Sequence, residues 1–272
     1  MKIKKIIIVL LLCFLPIASF AQKVGETLPA WEEGYMDIHH INTGCGECAY
    51  IILPDGTTML IDAGENKAGN PRHVSPKPNA SRTPGEWIVD YIKTMAPVQK
   101  QKLDYALITH FHSDHMGGVL KMKNESGRYY NTGIITVAEN LQIGMLVDRG
   151  FPDYNFLVNT EDKMIKNYFN FLHFTKRKIN VEQFVPGVDN QFRLLYDSTR
   201  YAGRFKIQNI YANGWLWTGK EHEKRYLFPD FDTLEKYDIP QENTLSCAIK
   251  IVYGNFSYYT GGDVTGYPKP GR

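Results

Sequence analysis

Alternating short apolar and polar stretches mark out the chain. Ala49 to Leu53 is apolar, Pro54-Asp55-Gly56-Thr57 is a turn signal, and Thr58 to Ile61 is apolar again. Two such runs around an Asp-Gly turn predict a β-hairpin, ending at Asp62-Ala63-Gly64. Residues 65–82 are polar, carry three prolines and read as a loop. Thr83-Pro84-Gly85-Glu86 then places an N-cap, a first-turn proline and a capping-box glutamate ahead of Ile88, Ile92 and Met95 at helical spacing. Leu103 to Ile108 predicts a strand that runs directly into Thr109-His110-Phe111-His112.

From Lys121 to Arg204 the pattern weakens, and the stretch reads as an insertion. Within it, Glu161 to Phe174 predicts a helix with Met164, Tyr168, Phe171 and Leu172 on its apolar face. Phe205 to Tyr211 predicts a strand, and Lys220 to Gln241 a charged loop. Cys247 to Val252 and Phe256 to Thr260 predict a second hairpin around Tyr253-Gly254-Asn255, ending at Gly261-Gly262-Asp263. Strands and helices alternate in two clusters, each delivering polar residues at a strand end, as α/β layers do.

The longest apolar run stands apart. Lys2, Lys4 and Lys5 precede Ile6 to Leu15, followed by Pro16 and Ser19-Phe20-Ala21. A basic region, an apolar core and a small-residue site form a secretory signal, expected to be cut after Ala21. The mature 22–272 chain is then exported, periplasmic or secreted, with no stable membrane association. The 31 Lys and Arg against 29 Asp and Glu lose three lysines with that leader, so no global basic field remains to draw nucleic acid. The Lys176-Arg177-Lys178 run reads as a solvated face. At 43% hydrophobic and 22% charged, the composition excludes a disordered chain.

Export also bears on the cysteines. Cys45-Gly-Glu-Cys48 admits a redox pair, a short disulfide, half a metal site or two free thiols; Cys247 lies in an apolar strand pattern and reads as core.

The candidate chemistry concentrates in His110-Phe111-His112-Ser113-Asp114-His115-Met116-Gly117-Gly118. After a strand, alternate residues share a direction, so His110 and His112 point alike. Asp114 and His115 follow on the turn. Three imidazoles and a carboxylate behind a buried strand are hard to explain as packing, because buried polar groups need partners. They suit zinc, iron or manganese.

His110-x-His112-x-Asp114-His115 resembles the signature of the metallo-β-lactamase superfamily. The resemblance implies an α/β fold, an αββα sandwich with one or two metals at the edge of the β-layers. Asp62, in Leu60-Ile61-Asp62-Ala63-Gly64, is similar to the superfamily's first motif, and Asp263, in Thr260-Gly261-Gly262-Asp263, to its bridging carboxylate. Carried over, His110 and His112 bind a first divalent ion, Asp114 and His115 a second, and Asp263 bridges them. The ions expected are zinc or else manganese. Asp114 also orients the attacking water, and Asp62 holds ligand geometry from behind. Two features depart from the pattern. The intervening histidines, His173 and His222, lie outside a strand-edge context, and no histidine follows Asp263 before Arg272. The second departure reads as a fragment lacking its last ligand.

The run Glu242 to Gly254, followed by a strand and Gly-Gly-Asp, resembles the hydrolase domain of competence-type DNA-uptake proteins, as does Gly44-Cys45-Gly46-Glu47. That implies a small-molecule or nucleic-acid phosphodiester substrate. A β-lactamase or lactonase is the enzymatic alternative. A degenerate member binding a ligand or partner is the non-enzymatic one, using aromatics such as Tyr129, Tyr130, Tyr154, Phe156, Tyr168, Phe169, Trp215 and Trp217.

Overall fold

In the computed structural model, residues 25–65, 74–97, 102–118, 120–175, 179–236 and 238–265 are described. The signal segment and the Lys176-Arg177-Lys178 run lie outside them. The chain divides into two compact units, Met1–Ala30 and Trp31–Arg272. Residues 25–30 are irregular; all that follows concerns the second unit.

Its first sheet opens with an antiparallel meander of β1 (Asp37–His40), β2 (Ala49–Ile52) and β3 (Thr58–Ile61). It continues with three parallel strands, β4 (Lys102–Leu107), β7 (Gln142–Asp148) and β8 (Asn180–Gln183), in the order β1-β2-β3-β4-β7-β8. Parallel neighbours need long crossovers. These carry α1 (Pro84–Met95), α3 (Gly133–Asn140) and α4 (Lys163–Thr175). A two-stranded ribbon, β5 (Met122–Lys123) with β6 (Tyr130–Asn131), precedes α3.

Side-chain alternation sorts the strands into two cores. Tyr50, Ile52, Leu60 and Ala106 face the helices, with Ile88, Ile92, Ile134, Tyr168 and Phe171 packed on them. Ala49, Ile51, Met59, Ile61, Tyr105 and Leu107 face the other way, against Ile207, Ile249 and Ile251 of a second sheet. Strands buried on both faces read as unbroken apolar runs, as β2 and β3 do. The second sheet is antiparallel, ordered β11 (Lys224–Tyr226), β10 (Trp215–Trp217), β9 (Phe205–Ala212), β12 (Ala248–Tyr253), β13 (Phe256–Thr260). Helices, two sheets face to face and a site at one sheet edge make a mixed α/β, metallo-β-lactamase-like fold. Among the described residues the α layer lies on the first sheet.

The predicted capping box forms. Glu86 N donates to Thr83 Oγ1 at 3.3 Å, and Thr83 N to Glu86 Oε2 at 2.7 Å. Such a cap contributes about 1 kcal/mol.

Two stretches hold more regular structure than their pattern suggests. Residues 121–204, read as an insertion, supply β7 and β8, and β7 sits between β4 and β8 in the first sheet. The signal was obscured because α3 is built from Ile134, Ile135, Thr136 and Val137, β-branched residues that helices disfavour. Tertiary packing overrides that preference. The charged stretch 220–241 likewise contains β11, paired to β10 through backbone bonds that no side-chain pattern announces. Of the aromatics considered for a groove, Tyr129, Tyr154 and Tyr168 are core. Cys48 and Cys247 are buried free thiols.

Candidate metal centre

The site forms where β3 and β4 end side by side. Just past β3, Asp62 takes φ +60°, a left-handed conformation that costs a non-glycine residue energy. This turns its buried carboxylate across to the end of β4. Oδ1 accepts from Thr109 N at 2.8 Å, and Oδ2 from Thr109 Oγ1 at 2.7 Å. Oδ2 also lies 2.8 Å from His115 Nδ1.

His110 follows Thr109 directly. His112 then caps the four-residue helix α2 (Ser113–Met116), which carries Asp114 and His115. The loop is held by backbone bonds from several segments. Ala63 N donates to His115 O, Glu47 N to Asp114 O, Glu65 N to Ser113 O, and Cys247 N to Thr109 O. Close packing around Asp114 requires two glycines. A Cβ on Gly46 would lie 1.8 Å from the Asp114 carbonyl oxygen, and one on Gly64 2.1 Å from it.

The ligand atoms converge. One ligand atom each from His110, His115 and Asp263 lie within 4.8 Å of one another. His115 Nε2 is 3.3 Å from Asp263 Oδ1. His110 Nε2 and His112 Nδ1 are 3.1 Å apart. Two nitrogens on one tetrahedral zinc stand about 3.4 Å apart, so this separation fits a shared ion. With Asp62 on its Nδ1, His115 presents Nε2 to the site, the second-sphere arrangement that fixes a ligand's tautomer and orientation. The donor set therefore fits a divalent metal held by imidazole and carboxylate.

Electrostatics separates the two buried histidines. His110 is pushed down to about 2 by burial first, then by His115, His112 and Arg149. For His115, burial works against the charged form. The Asp62 hydrogen bond and the charges of Asp62, Asp263 and Asp114 outweigh it, and the ring is pushed up to about 9.

Of the residues singled out from sequence, His110, His115 and Asp263 come together, with His112 at hydrogen-bond distance from His110 and Asp62 behind His115. Asp114 is half-buried and joins neither three-residue cluster. His173 and His222 are exposed. Glu47 had no assigned role. Yet a carboxylate oxygen of Glu47 lies with Asp62 and His115 in a second cluster within 4.8 Å. Burial, then the Asp62 charge, pushes the Glu47 carboxyl up. Its place after Gly44-Cys45-Gly46, ahead of the first hairpin, was the available signal.

Residues 42–127 match the family model of the Metallo-beta-lactamase superfamily, whose members are mostly metal-dependent hydrolases. The match includes Asp62 and the whole His110–His115 motif and stops before Asp263. Among solved structures, a mutant of the CmlA beta-hydroxylase is similar at 12% identity and a TM-score of 0.37, over 85% of this chain. This chain spans 30% of that one. No curated protein matches the chain.

Proposed function

We propose that this chain is an exported metal-dependent hydrolase that cleaves phosphodiester or related bonds with a metal-activated water. The observation that carries this reading is the convergence of His110, His115 and Asp263, from opposite sheets, on one point. When bound, two divalent ions, zinc or else manganese, supply a Lewis acid and a water that deprotonates near neutral pH. His110, His112 and Asp263 would hold the first ion, and His115, Asp114 and Asp263 the second. Asp62 keeps His115 Nε2 directed at the site. The Asp114 carboxylate would accept a hydrogen bond from the activated water and so orient it. The phosphodiester choice rests on the resemblance of residues 242–254 and 44–47 to competence-type hydrolase domains. Export rests on the leader at 1–21.

The test is metal content after dialysis, together with turnover of bis(p-nitrophenyl) phosphate and of nitrocefin. Bound metal with phosphodiester turnover that Asp114→Ala abolishes, in a folded protein, is the expected result. Nitrocefin turnover instead would select the lactamase reading. A folded chain that holds no metal would overturn the enzyme reading in favour of a ligand-binding one.

A further inference from the structure

Arg149 is the largest fully buried side chain among the described residues. It follows directly on β7, behind the metal centre. A guanidinium without solvent must have its charge paired and its five N–H donors satisfied, and here all are. Nε donates to Glu242 Oε1 at 2.8 Å, and Nη2 donates to Glu242 Oε2, making a two-pronged ion pair. Nη1 donates to Phe156 O and Asn213 Oδ1, and Nη2 also to Leu157 O.

The pair also makes contact with the histidine loop. Glu242 Oε1 also accepts from Phe111 N at 2.8 Å, and the Arg149 guanidinium lies over the Phe111 ring, 4.8 Å from its centroid. Phe111 is the residue between His110 and His112. Its amide and its ring are therefore both gripped by the same ion pair. That pair is anchored in turn to β7, to the turn after β9 and to the short 3-10 turn Glu242–Leu245. Buried ion pairs add little stability over apolar replacements of the same size, so stability alone does not account for this one.

We propose that Arg149 and Glu242 are positioning residues that set the His110–His112 loop in ligand geometry, acting through Phe111. The inference rests on the metal-centre reading above. It predicts that the loop is ordered before metal arrives.

The test uses Glu242→Ala and the shape-preserving Glu242→Gln in the full chain, with Asp104→Asn as a control. Asp104 is a buried carboxylate on β4 that binds Thr58 and Tyr196, away from the loop. Two readouts are taken: zinc affinity by competition with a chromogenic chelator, and amide hydrogen exchange at Phe111 in the metal-free protein. Glu242→Ala should weaken zinc binding about 10- to 100-fold, the usual effect of losing a group behind the ligands. Exchange at Phe111 should accelerate at least about 10-fold, as local opening becomes easier. Glu242→Gln keeps an acceptor for the Phe111 amide and should fall between Ala and wild type, which also covers the case in which the alanine variant does not fold. Asp104→Asn should lower Tm and leave both readouts unchanged. Glu242 variants that lower Tm as Asp104→Asn does, with zinc affinity and Phe111 exchange intact, would overturn the proposal. If the wild type binds no zinc, the metal-centre reading fails, and Phe111 exchange alone still decides whether the pair orders the loop.

Discussion

The two ends of the β3–β4 pair carry the same device with different outcomes. At one end Asp104, on β4, reaches to the first residue of β3; its Oδ2 accepts from both the amide and the hydroxyl of Thr58, at 2.9 and 3.2 Å. At the other end Asp62, just past β3, reaches to Thr109, two residues past β4, and accepts from both its amide and its hydroxyl. Each is a buried aspartate clamping a threonine at an end of the neighbouring strand. They differ in the remaining partners. Asp104 binds the Tyr196 hydroxyl at 2.6 Å and Lys102 Nζ at 3.2 Å, groups that finish the network. Asp62 binds an imidazole, which has a second nitrogen to offer, and that nitrogen faces Asp263. One clamp closes a sheet edge; the other extends into residues that could hold a metal. A buried carboxylate thus becomes functional through what its partner can still do.

The comparison breaks most sharply at His115. Replacing it with alanine removes the nitrogen that distinguishes the two ends. Bound metal should fall by at least one ion per chain, with hydrolysis reduced by several kcal/mol in barrier, roughly a thousand-fold. Elemental analysis beside a turnover assay reads both. Full metal retention in His115→Ala would place the centre elsewhere.

Asp62→Asn tests the clamp itself. The threonine contacts survive in part, but the pull on His115 Nδ1 weakens. Metal affinity should drop about 10- to 100-fold with the fold retained, measured by chelator competition. At the opposite end, Asp104→Asn should cost about 1–3 kcal/mol in urea unfolding, through weakened buried hydrogen bonds. It should leave metal affinity at the wild-type value. A loss of affinity there would mean that the two ends are coupled through β4.

The smallest effect is expected at Asp55, in the hairpin turn beside the Asp104 end. Burial pushes its carboxyl up. The amides of Thr57, Tyr196 and Asp197 and the Thr57 hydroxyl outweigh burial and leave it below its ordinary 3.8. A group whose folded pKa is depressed contributes stability above its unfolded value and loses it as pH falls through the folded one. The stability gap between wild type and Asp55→Asn should therefore be present at pH 7 and shrink below about pH 4. Urea titrations at the two pH values check it, and a gap that widens on acidification would refute the assignment.

Much of this molecule was legible along the chain. The hairpin at 49–61, the capping box at Thr83 and the strand ahead of His110 depend on neighbours a few residues away, so local pattern suffices. The donor types in His110–His115 and the strand-end setting of Asp62 and Asp263 belong to the same local order. What sequence could not supply was partnership across distance. That β7 completes the first sheet follows from hydrogen bonds to β4 and β8, not from its own alternation. That Glu47 sits with Asp62 and His115, and that Arg149 and Glu242 grip Phe111, follows from where five separate segments meet. Local structure is set by short-range sterics and periodicity, which a sequence displays directly. The burial that makes a charge need one specific partner exists only once the two sheets have closed on each other.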